Sequence, residues 1–438
     1  MPRSALTFLE VDPSPRQRLR ALTAHMRLWL VQGAEREGRE VRREDGVTWV
    51  ATPGPDGEAW IAYPRLPAAR AGAQLDAIMD EYRRSRPLPR VGCWSMIPAR
   101  PRDLGVRLMA RGFGWGWRPH WMWLELHGLQ EDQRSLSGLA IAIADDESQW
   151  EVDDLPKFHR GVAYGPVPEG RSQRAWHFAA QLDGRIVGHS VLFVTTGRLG
   201  VAGIFDVGVV PAARRQGIGT AVTLAACRLA RELGCRHAVL NATPLGEGVY
   251  RRLGFVSMGY GQTWWLQPET LAAPPPTPAQ VAFAEAVARG DLAALDALGG
   301  QLLPDTPDAP LANGMSPLQL AVKMGQPKAA TWLVAHGATL DILSAWDLGW
   351  KDRVPRLLAE SPDLGNRRSG DWQATPLHEA AVRGDVELAR LLLAANPALD
   401  AQDATFHSTP LGWARHFGRT EIAELIEQHQ EERRALGG

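Results

Sequence analysis

The amino-acid sequence predicts a mixed α/β fold over residues 1–268 and an all-α repeat array over residues 280–438. Short β-branched segments alternate with helix-spaced segments throughout the first region. The run LAAPPPTPAQ at 271–280 contains three consecutive prolines, which favour an extended spacer. Beyond that spacer, Ala and Leu recur at helical spacing, and glycines return every 24 to 35 residues, which is typical of a solenoid.

Composition excludes several classes of protein. The net charge of −1 provides no positive field that would draw the chain to nucleic acid or to an anionic membrane. No apolar run reaches the ~20 residues that a membrane-spanning helix needs. Cys93, Cys227 and Cys235 form neither a CxxC pair nor a metal-ligand spacing. We therefore predict a cytoplasmic protein with no metal site, no nucleic-acid partner and no membrane contact.

The α/β region contains a weak internal repeat. At an offset of 142 positions, four residues coincide: Gly112 with Gly254, Phe113 with Phe255, Trp123 with Trp265, and Leu124 with Leu266. In both copies a helix is predicted to end at Gly-Phe, and an aromatic-rich strand follows. The repeat predicts two related modules at 1–130 and 137–268. The alternative is that α/β modules commonly end in a helix, a Gly-Phe pair and a strand.

The second module has clear secondary-structure signals. Residues 175–194 read as a hairpin because Asp183-Gly184 is a favoured turn pair. Apolar spacing predicts a helix over 220–234, which ends at a glycine. Strands are predicted on either side of that helix, at 203–210 and 237–243. The predicted order of strand, loop, helix and strand places the loop that begins at Arg214 directly before a helix.

That loop has the features of an anion site. It runs from Arg214 to Gly219 with the sequence RRQGIG, between a strand that ends at Pro211 and a helix. The first N–H groups of a helix have no partner within the helix, and they lie at the positive end of its dipole. Glycines let a diphosphate approach such a backbone closely. By itself this pattern is also compatible with a plain turn.

Two motifs together resemble the GNAT (GCN5-related) N-acetyltransferase superfamily over about 137–268. One is the Arg-x-x-Gly-x-Gly loop that starts at Arg214, and the other is the segment YRRLGF at 250–255. The resemblance implies a mixed sheet flanked by helices and acetyl-CoA as the co-substrate. It also implies transfer of an acetyl group to a primary amine. The acceptor, a small molecule or a protein, is not specified by these motifs.

The resemblance also implies a set of coenzyme-binding residues. The pyrophosphate is expected on the backbone of Gln216, Gly217, Ile218, Gly219 and Thr220, with Arg214 and Arg215 adding charge. The thioester arm is expected along the strand edge at Val207, Gly208 and Val209, where the Val209 N–H polarises the acetyl carbonyl. Asn241 has two open uses, since its side chain can bind the pantetheine arm or cap a turn.

The catalytic assignments leave alternatives open. Tyr250 matches the tyrosine that protonates the departing thiolate in the family, and its alternative is a core aromatic residue. Asp206 is our candidate for the base that takes the proton of the amine. A carboxylate that faces solvent or bonds a turn is equally compatible with the sequence at that position. His189 is a weaker candidate for the base.

The first module departs from the family pattern. No Arg-x-x-Gly-x-Gly loop occurs between residues 41 and 113. We expect a degenerate module that does not bind CoA and instead forms a wall of the acceptor cleft. Tryptophans cluster on the terminal strands of both modules, where they pack the halves together or line an acceptor pocket. These residues are Trp115, Trp117, Trp121, Trp123, Trp264 and Trp265.

The C-terminal region resembles ankyrin repeats. The segment TPLHEAAVRGDVELARLLLAANPALDAQD at 375–403 carries the pattern, and residues 315–342 and 409–426 repeat it. We predict a linker at 269–279 and four to five repeats over 280–438. Such stacks bind proteins, and the alternative use is stability or dimerisation. For the whole chain, the alternative to an enzyme is an acyl-CoA-binding or catalytically silent scaffold for protein interaction.

Overall fold

The computed structural model describes residues 6–130, 136–144, 155, 175–302, 307–370 and 372–436. It divides into two compact units, residues 1–275 (unit 1) and 276–438 (unit 2). Parts of the predicted second module, at 145–154 and 156–174, lie outside the described residues. The predicted domain limits at 130, 137, 268 and 279 remain predictions.

Unit 1 is built on one mixed sheet. Its strands run in the order β1-β2-β3-β4-β12-β6-β11-β10-β9-β8-β7, and β5 pairs with β12. The strands are β1 (Val41–Glu44), β2 (Val47–Val50), β3 (Glu58–Ala62), β4 (Arg90–Met96), β5 (Gly114–Trp115), β6 (His120–Glu125), β7 (Leu139–Ile143), β8 (Ala175–Leu182), β9 (Arg185–Val194), β10 (Ala202–Val209), β11 (His237–Ala242) and β12 (Val256–Leu266). The predicted mixed α/β class is thereby confirmed for this unit.

Six helices accompany the strands in the described part of unit 1. They are α1 (Pro15–Arg36), α2 (Ala71–Arg84), α3 (Leu104–Met109), α4 (Ile218–Glu232), α5 (Pro244–Arg252) and α6 (Pro268–Ala272). The predicted hairpin is confirmed, because Asp183 and Gly184 join β8 to β9 with φ of 49° and 77°. The helix predicted over 220–234 is confirmed as α4, two residues earlier at its start.

The sheet shows an exchange of strands between the two halves of unit 1. β6, which belongs to the first half of the chain, lies between β11 and β12 of the second half. The C-terminal part of β12 in turn lies between β4 and β5 of the first half. The 142-residue repeat relates the two pairings, since Trp123 faces Val256 and Trp265 faces Gly114. Each half therefore completes the sheet of the other.

Large aromatic side chains bury the exchanged strands. Trp121 and Trp123 are fully buried and pack with Trp94 and Phe205 in one cluster on the α1 side of the sheet. The other face of β10 and β11 packs against α4 through residues such as Leu224 and Cys227. The sheet is thus covered by helices on both faces, and its centre is held by the strands that the halves exchange.

Unit 2 is a helical array. Its described part contains five helix pairs, and in each pair one of the regularly spaced glycines follows the first helix. The helices are α7 (Pro278–Arg289), α8 (Leu292–Leu302), α9 (Pro317–Lys323), α10 (Pro327–Ala335), α11 (Ile342–Asp347), α12 (Val354–Glu360), α13 (Pro376–Arg383), α14 (Val386–Ala394), α15 (Pro410–His416) and α16 (Thr420–Leu436). Thr375 caps α13 as predicted, through a capping box with His378.

Among the described residues, no helix combines the length and the apolar character that are needed to cross a membrane. The cytoplasmic location remains a prediction.

A buried histidine links the stability of unit 1 to pH. His25 lies between α1 and the sheet, its Nδ1 atom is 3.0 Å from Thr195 Oγ1, and its ring stacks on Phe205. Burial lowers the pKa of His25 to about 3. The unfolded chain therefore binds a proton below about pH 6.5 that the folded state does not take up. Stability is present above that pH and is lost as the pH falls.

We expect unit 1 to lose about 2–3 kcal/mol of unfolding free energy between pH 6.5 and pH 4.5 through His25 alone. His25→Asn removes the titration and keeps a polar atom near Thr195, so its stability should change less over this range. Urea unfolding at several pH values measures both slopes. His127→Asn, at a side chain that is 72% exposed, is the control and should keep the slope of the unmodified chain. Equal slopes for His25→Asn and the unmodified chain would contradict the assignment.

Candidate functional site

The functional site begins where two neighbouring parallel strands separate. β10 and β11 pair only through Ala202 with Ala238 and Gly203 with Val239. Both strands continue beyond this point, β10 to Val209 and β11 to Ala242, without further pairing between them. The remaining edge of β10 faces a cavity of about 1010 Å³ that is lined by residues from both halves of unit 1. An opening between parallel strands therefore exposes main-chain polar groups to a ligand.

A β-bulge accompanies this separation. On β10, Phe205 faces Val191 and Gly208 faces His189, so one extra residue is accommodated between the two pairs. Asp206 lies in the bulge with φ of 49°, is 5% exposed and lines the cavity. Asp tolerates this left-handed conformation better than most residues. The bulge therefore directs Asp206 into the cavity wall, and it does not lie on a solvent-facing turn.

Strand geometry directs one main-chain amide toward the opening. Val210 N–H donates to Val187 O on β9 at 2.9 Å. Because successive residues of an antiparallel strand direct their N–H groups to opposite edges, the Val209 N–H points away from β9. The Val209 carbonyl, on the same edge, accepts a hydrogen bond from Arg214 Nε at 3.2 Å. Val207, Gly208 and Val209 all line the cavity.

The loop before α4 presents its backbone to the same cavity. Gly217 is the N-cap residue with φ of 88°, and the ladder of α4 begins with Ala221 N–H donating to Gly217 O. The N–H groups of residues 218–220 precede this ladder and have no partner within the helix. Arg214, Arg215, Gly217, Ile218, Gly219 and Thr220 line the cavity, whereas Gln216 is exposed outside its lining.

Close packing fixes the start of α4 against the sheet. A Cβ atom at Gly188 on β9 would lie 2.8 Å from Ile218, so only glycine allows this approach. Ser190 Oγ on the same strand donates to Val222 O at 2.9 Å. The free amides of α4 are therefore held at a constant position relative to the bulge.

Tyr250 forms part of the opposite wall. It lies on α5, is 7% exposed, lines the cavity and contacts Gly246, where a Cβ atom would lie 3.4 Å from its hydroxyl. Burial raises the pKa of Tyr250 well above its ordinary value, so the phenol stays protonated at neutral pH. The ring also packs against Phe255. Tyr250 therefore packs in the core and also lines the cavity, so the structure is compatible with both uses that the sequence left open.

The two remaining candidates differ in position. Asn241 is half-buried near the end of β11 and lines the cavity. His189 is buried, its Nδ1 atom is 3.0 Å from Nε2 of His177, and it does not belong to the described lining. The structure thus groups Asn241 with the coenzyme residues and separates His189 from them.

Sequence reasoning missed part of the lining, although it expected the first module to form a wall. α1, β3 and β4 contribute Trp29, Trp60, Trp94, Glu58 and Arg90 to the cavity, more than a hundred positions before Asp206. Burial, followed by the charge of Asp56, raises the pKa of Glu58. The alternation of Trp60 with buried neighbours on β3 was the available signal for this part of the lining. Long-range strand pairing decides which face of β3 meets the cavity, and a local pattern does not give this pairing.

The described residues contain no group of three or more His, Cys, Asp or Glu side chains that could hold a metal ion. The site therefore rests on main-chain amides, arginines, carboxylates and one phenol. Amides and arginines suit a phosphorylated ligand, and the carboxylates and the phenol are groups that can transfer protons.

Comparisons with known proteins identify both parts of the chain. Residues 113–255 match the model of the acetyltransferase (GNAT) family, and residues 313–345 and 372–404 match the ankyrin repeat. A glucosamine 6-phosphate N-acetyltransferase from Trypanosoma brucei brucei is 35% identical over 82 residues, which are 18% of this chain and 56% of that protein. The chain thus spans little more than half the length of this relative.

Two solved structures are also similar. A GCN5-related N-acetyltransferase from Kribbella flavida has 19% identity and a TM-score of 0.44, covering 57% of this chain and 95% of that one. A functionally unknown conserved protein from Staphylococcus epidermidis has 14% identity and a TM-score of 0.36, with coverage of 52% and 94%.

Fold and site together define an α/β protein in which the loop before α4 presents main-chain amides to a cavity, followed by a helical repeat array. The predicted resemblance to GNAT acetyltransferases and to ankyrin repeats is confirmed, by the matches at residues 113–255 and at 313–345 and 372–404. The predicted domain limits, 137–268 and 280–438, remain predictions.

Proposed function

We propose that this protein is an acetyl-CoA-dependent N-acetyltransferase that acts on a primary amine. The observation that carries the proposal is the edge of β10 beyond Gly203, which separates from β11 and faces the same cavity as the main-chain amides at the start of α4. A diphosphate and a thioester arm need these two features side by side. The match to the GNAT family and the named N-acetyltransferase relative support the reaction class.

The residues present fit the coenzyme. The N–H groups of residues 218–220 and the side chains of Arg214 and Arg215 suit the pyrophosphate. Arg252 adds a third positive charge to this end of the lining. Asn241 offers an amide to the pantetheine arm across the opening. The Val209 N–H points to the edge where the acetyl carbonyl would accept a hydrogen bond.

The reaction requires three roles from the chain. The neutral amine attacks the carbonyl carbon, a C–N bond forms and the C–S bond breaks, and the Val209 N–H stabilises the developing oxyanion. Asp206 accepts a proton from the amine nitrogen, directly or through water. Tyr250 donates its phenolic proton to the departing thiolate. Burial raises the pKa of Tyr250, so the phenol carries its proton at neutral pH before the thiolate departs.

The relative that acts on glucosamine 6-phosphate raises one candidate acceptor, a phosphorylated amino sugar. Its match covers 82 residues, which do not extend over the whole acceptor wall, since that wall spans positions from Trp29 to Trp265. Phosphorylated amines therefore belong in the panel of acceptors that tests the proposal.

We propose further that unit 2 binds a protein partner. The ankyrin matches support this role, and so do exposed aromatic side chains at neighbouring loops. Trp372 and Phe406 are 44% and 64% exposed, and their ring centroids are 6.2 Å apart. Aromatic side chains at loop tips are typical of protein-binding surfaces.

Isothermal titration with acetyl-CoA, followed by release of free thiol with a panel of amines, separates the enzyme from the scaffold. Binding with turnover supports the enzyme. Binding without turnover for every amine would leave the silent scaffold as the better description.

Gly217→Asp should abolish acetyl-CoA binding, because it places a carboxylate at the N-cap beside the pyrophosphate. Gly217→Asn is the matched control. The Asn side chain has the same size as Asp and must adopt the same φ of 88°, but it carries no charge. A Cβ atom at Gly217 meets nothing within 4 Å, so the Asn variant should lose no more than about fivefold in affinity. Equal affinities of the two variants in isothermal titration would contradict the loop assignment.

Tyr250→Phe should lower kcat about 100-fold and leave the affinity for acetyl-CoA nearly unchanged, because it removes a proton donor and keeps the ring. Steady-state thiol release and isothermal titration measure the two quantities. Tyr260→Phe, at a side chain that is 44% exposed on β12, should leave both unchanged. An unaltered kcat in the Tyr250 variant would assign this residue to packing.

Deletion of residues 276–438 should leave a folded unit 1 that binds acetyl-CoA with unchanged affinity, because the cavity lining lies within residues 29–265. Thermal unfolding and isothermal titration check the two parts of this prediction. Aggregation of the shortened chain, or loss of binding, would show that the cavity depends on unit 2.

A further inference from the structure

The acceptor end of the cavity is an aromatic chamber. We define the chamber by five lining tryptophans that come from α1, β3, β4, β12 and the segment between β5 and β6. They are Trp29, Trp60, Trp94, Trp117 and Trp265. Four of these rings form two pairs, since Trp60 meets Trp265 edge-on at 5.5 Å and Trp94 meets Trp117 edge-on at 5.4 Å. No other part of the cavity has a comparable aromatic lining among the described residues.

The chamber adjoins the reacting end of the site. Trp29 stacks on Phe205 with ring centroids 3.9 Å apart and planes inclined by 7°. Phe205 directly precedes Asp206 in the bulge of β10. A molecule held against Trp29 therefore lies near the strand that carries the proposed base, and the other tryptophans line the same cavity.

The two ends of the cavity differ in charge. The carboxylates of the described lining are Glu37, Asp56, Glu58 and Asp206. Two guanidinium groups accompany them, with Arg39 2.7 Å from Glu37 and Arg90 3.3 Å from Glu58. The balance at this end is therefore two positive charges against four negative, or −2. The other lining arginines, Arg214, Arg215 and Arg252, come from the loop before α4 and from α5.

One ring already holds a cation. The guanidinium carbon of Arg90 lies 4.0 Å from the ring centroid of Trp265, within the range of a cation–π contact. Burial, followed by the charge of Asp56, raises the pKa of Glu58, and the guanidinium of Arg90 opposes this shift. Aromatic faces and surplus carboxylates together attract a protonated amine on an apolar body.

We propose that the chamber takes a primary amine carried on a bulky aromatic body, and that it discriminates against phosphorylated amino sugars. The inference rests on the proposed function, because the chamber is the acceptor side of that site. A planar ring packs against the tryptophans, and the carboxylates of Asp56 and Glu58 attract its ammonium group. A phosphate on the acceptor would face the same carboxylates and be repelled.

The tryptophans of the chamber differ in exposure, and this difference decides which of them can be replaced in a test. Trp29 and Trp94 are 4% and 5% exposed and support the core, so their removal would disturb folding. Trp117 is 43% exposed, lines the cavity, and its carbonyl is fixed by hydrogen bonds from Thr263. A bound aromatic ring would cover Trp117, and its replacement leaves the backbone hydrogen bonds in place.

The test measures binding to the full chain saturated with CoA, by isothermal titration, together with thiol release in the presence of acetyl-CoA. The probes are tryptamine, indole-3-propionate, which has the same ring and a negative charge, and glucosamine 6-phosphate. We expect tryptamine to bind at least tenfold more tightly than either of the others. We expect Trp117→Ala to weaken tryptamine binding about tenfold and Trp117→Phe to restore most of it.

Trp372→Ala is the matched control, because Trp372 is 44% exposed and belongs to unit 2. It should change neither tryptamine nor acetyl-CoA affinity. Trp117→Ala should also leave acetyl-CoA affinity unchanged, which confines its effect to the acceptor side.

The outcomes separate this inference from the proposed function. Acetylation of glucosamine 6-phosphate in preference to tryptamine would overturn the inference and leave the enzyme assignment intact. Tryptamine binding that depends on Trp117, without thiol release for tryptamine or for any amine of the panel, would support the chamber's ligand class and reject the enzyme assignment. Absence of tryptamine binding, or equal binding by the unmodified chain and Trp117→Ala, would overturn the inference.

Discussion

The site depends on one interruption of hydrogen bonding, between β10 and β11 after the pair of Gly203 and Val239. Unpaired strand edges are unfavourable unless a ligand, water or another strand satisfies them. Both strands tolerate the interruption because their other edges are paired, β10 with β9 and β11 with β6 over six residues. The opening is therefore a rigid gap between two supported strands, which suits a site that must hold a thioester arm in one orientation.

The strand that supports β11 comes from the other half of the chain. β6 belongs to the first half, and the C-terminal part of β12 occupies the equivalent place beside β4. Removal of either half would expose strand edges and the buried rings of Trp121 and Trp123. The same exchange brings β4 and α1 to the cavity, so a half without the glycine-rich loop supplies part of the lining. The stability of the sheet and the shape of the cavity thus have a common structural origin.

Local features of this fold could be predicted from the sequence, and long-range ones could not. Turn chemistry at Asp183-Gly184 and apolar spacing in α4 act over a few residues, and the structure has both elements where they were expected. The loop from Arg214 to Gly219 precedes a helix as predicted. The bulge at Asp206 has no local signal beyond the tolerance of Asp for positive φ. The strand exchange had only an indirect signal, the 142-residue repeat, because pairing partners are selected by tertiary packing.

The negative charge of the acceptor end opposes the proposed reaction, because the attacking amine must be neutral. An alkylamine with a pKa near 10.4 is neutral in about one molecule in 2,500 at pH 7, a deficit of roughly 4–5 kcal/mol. Carboxylates such as Asp56 and Glu58 favour the ammonium form, whereas burial against tryptophans favours the neutral form. Asp56 is exposed, and Asp206 is buried beside the opening. On the proposed function, the outer carboxylates attract the cation, the proton that makes the amine neutral passes to water, and Asp206 accepts the second proton, which the nitrogen loses on attack.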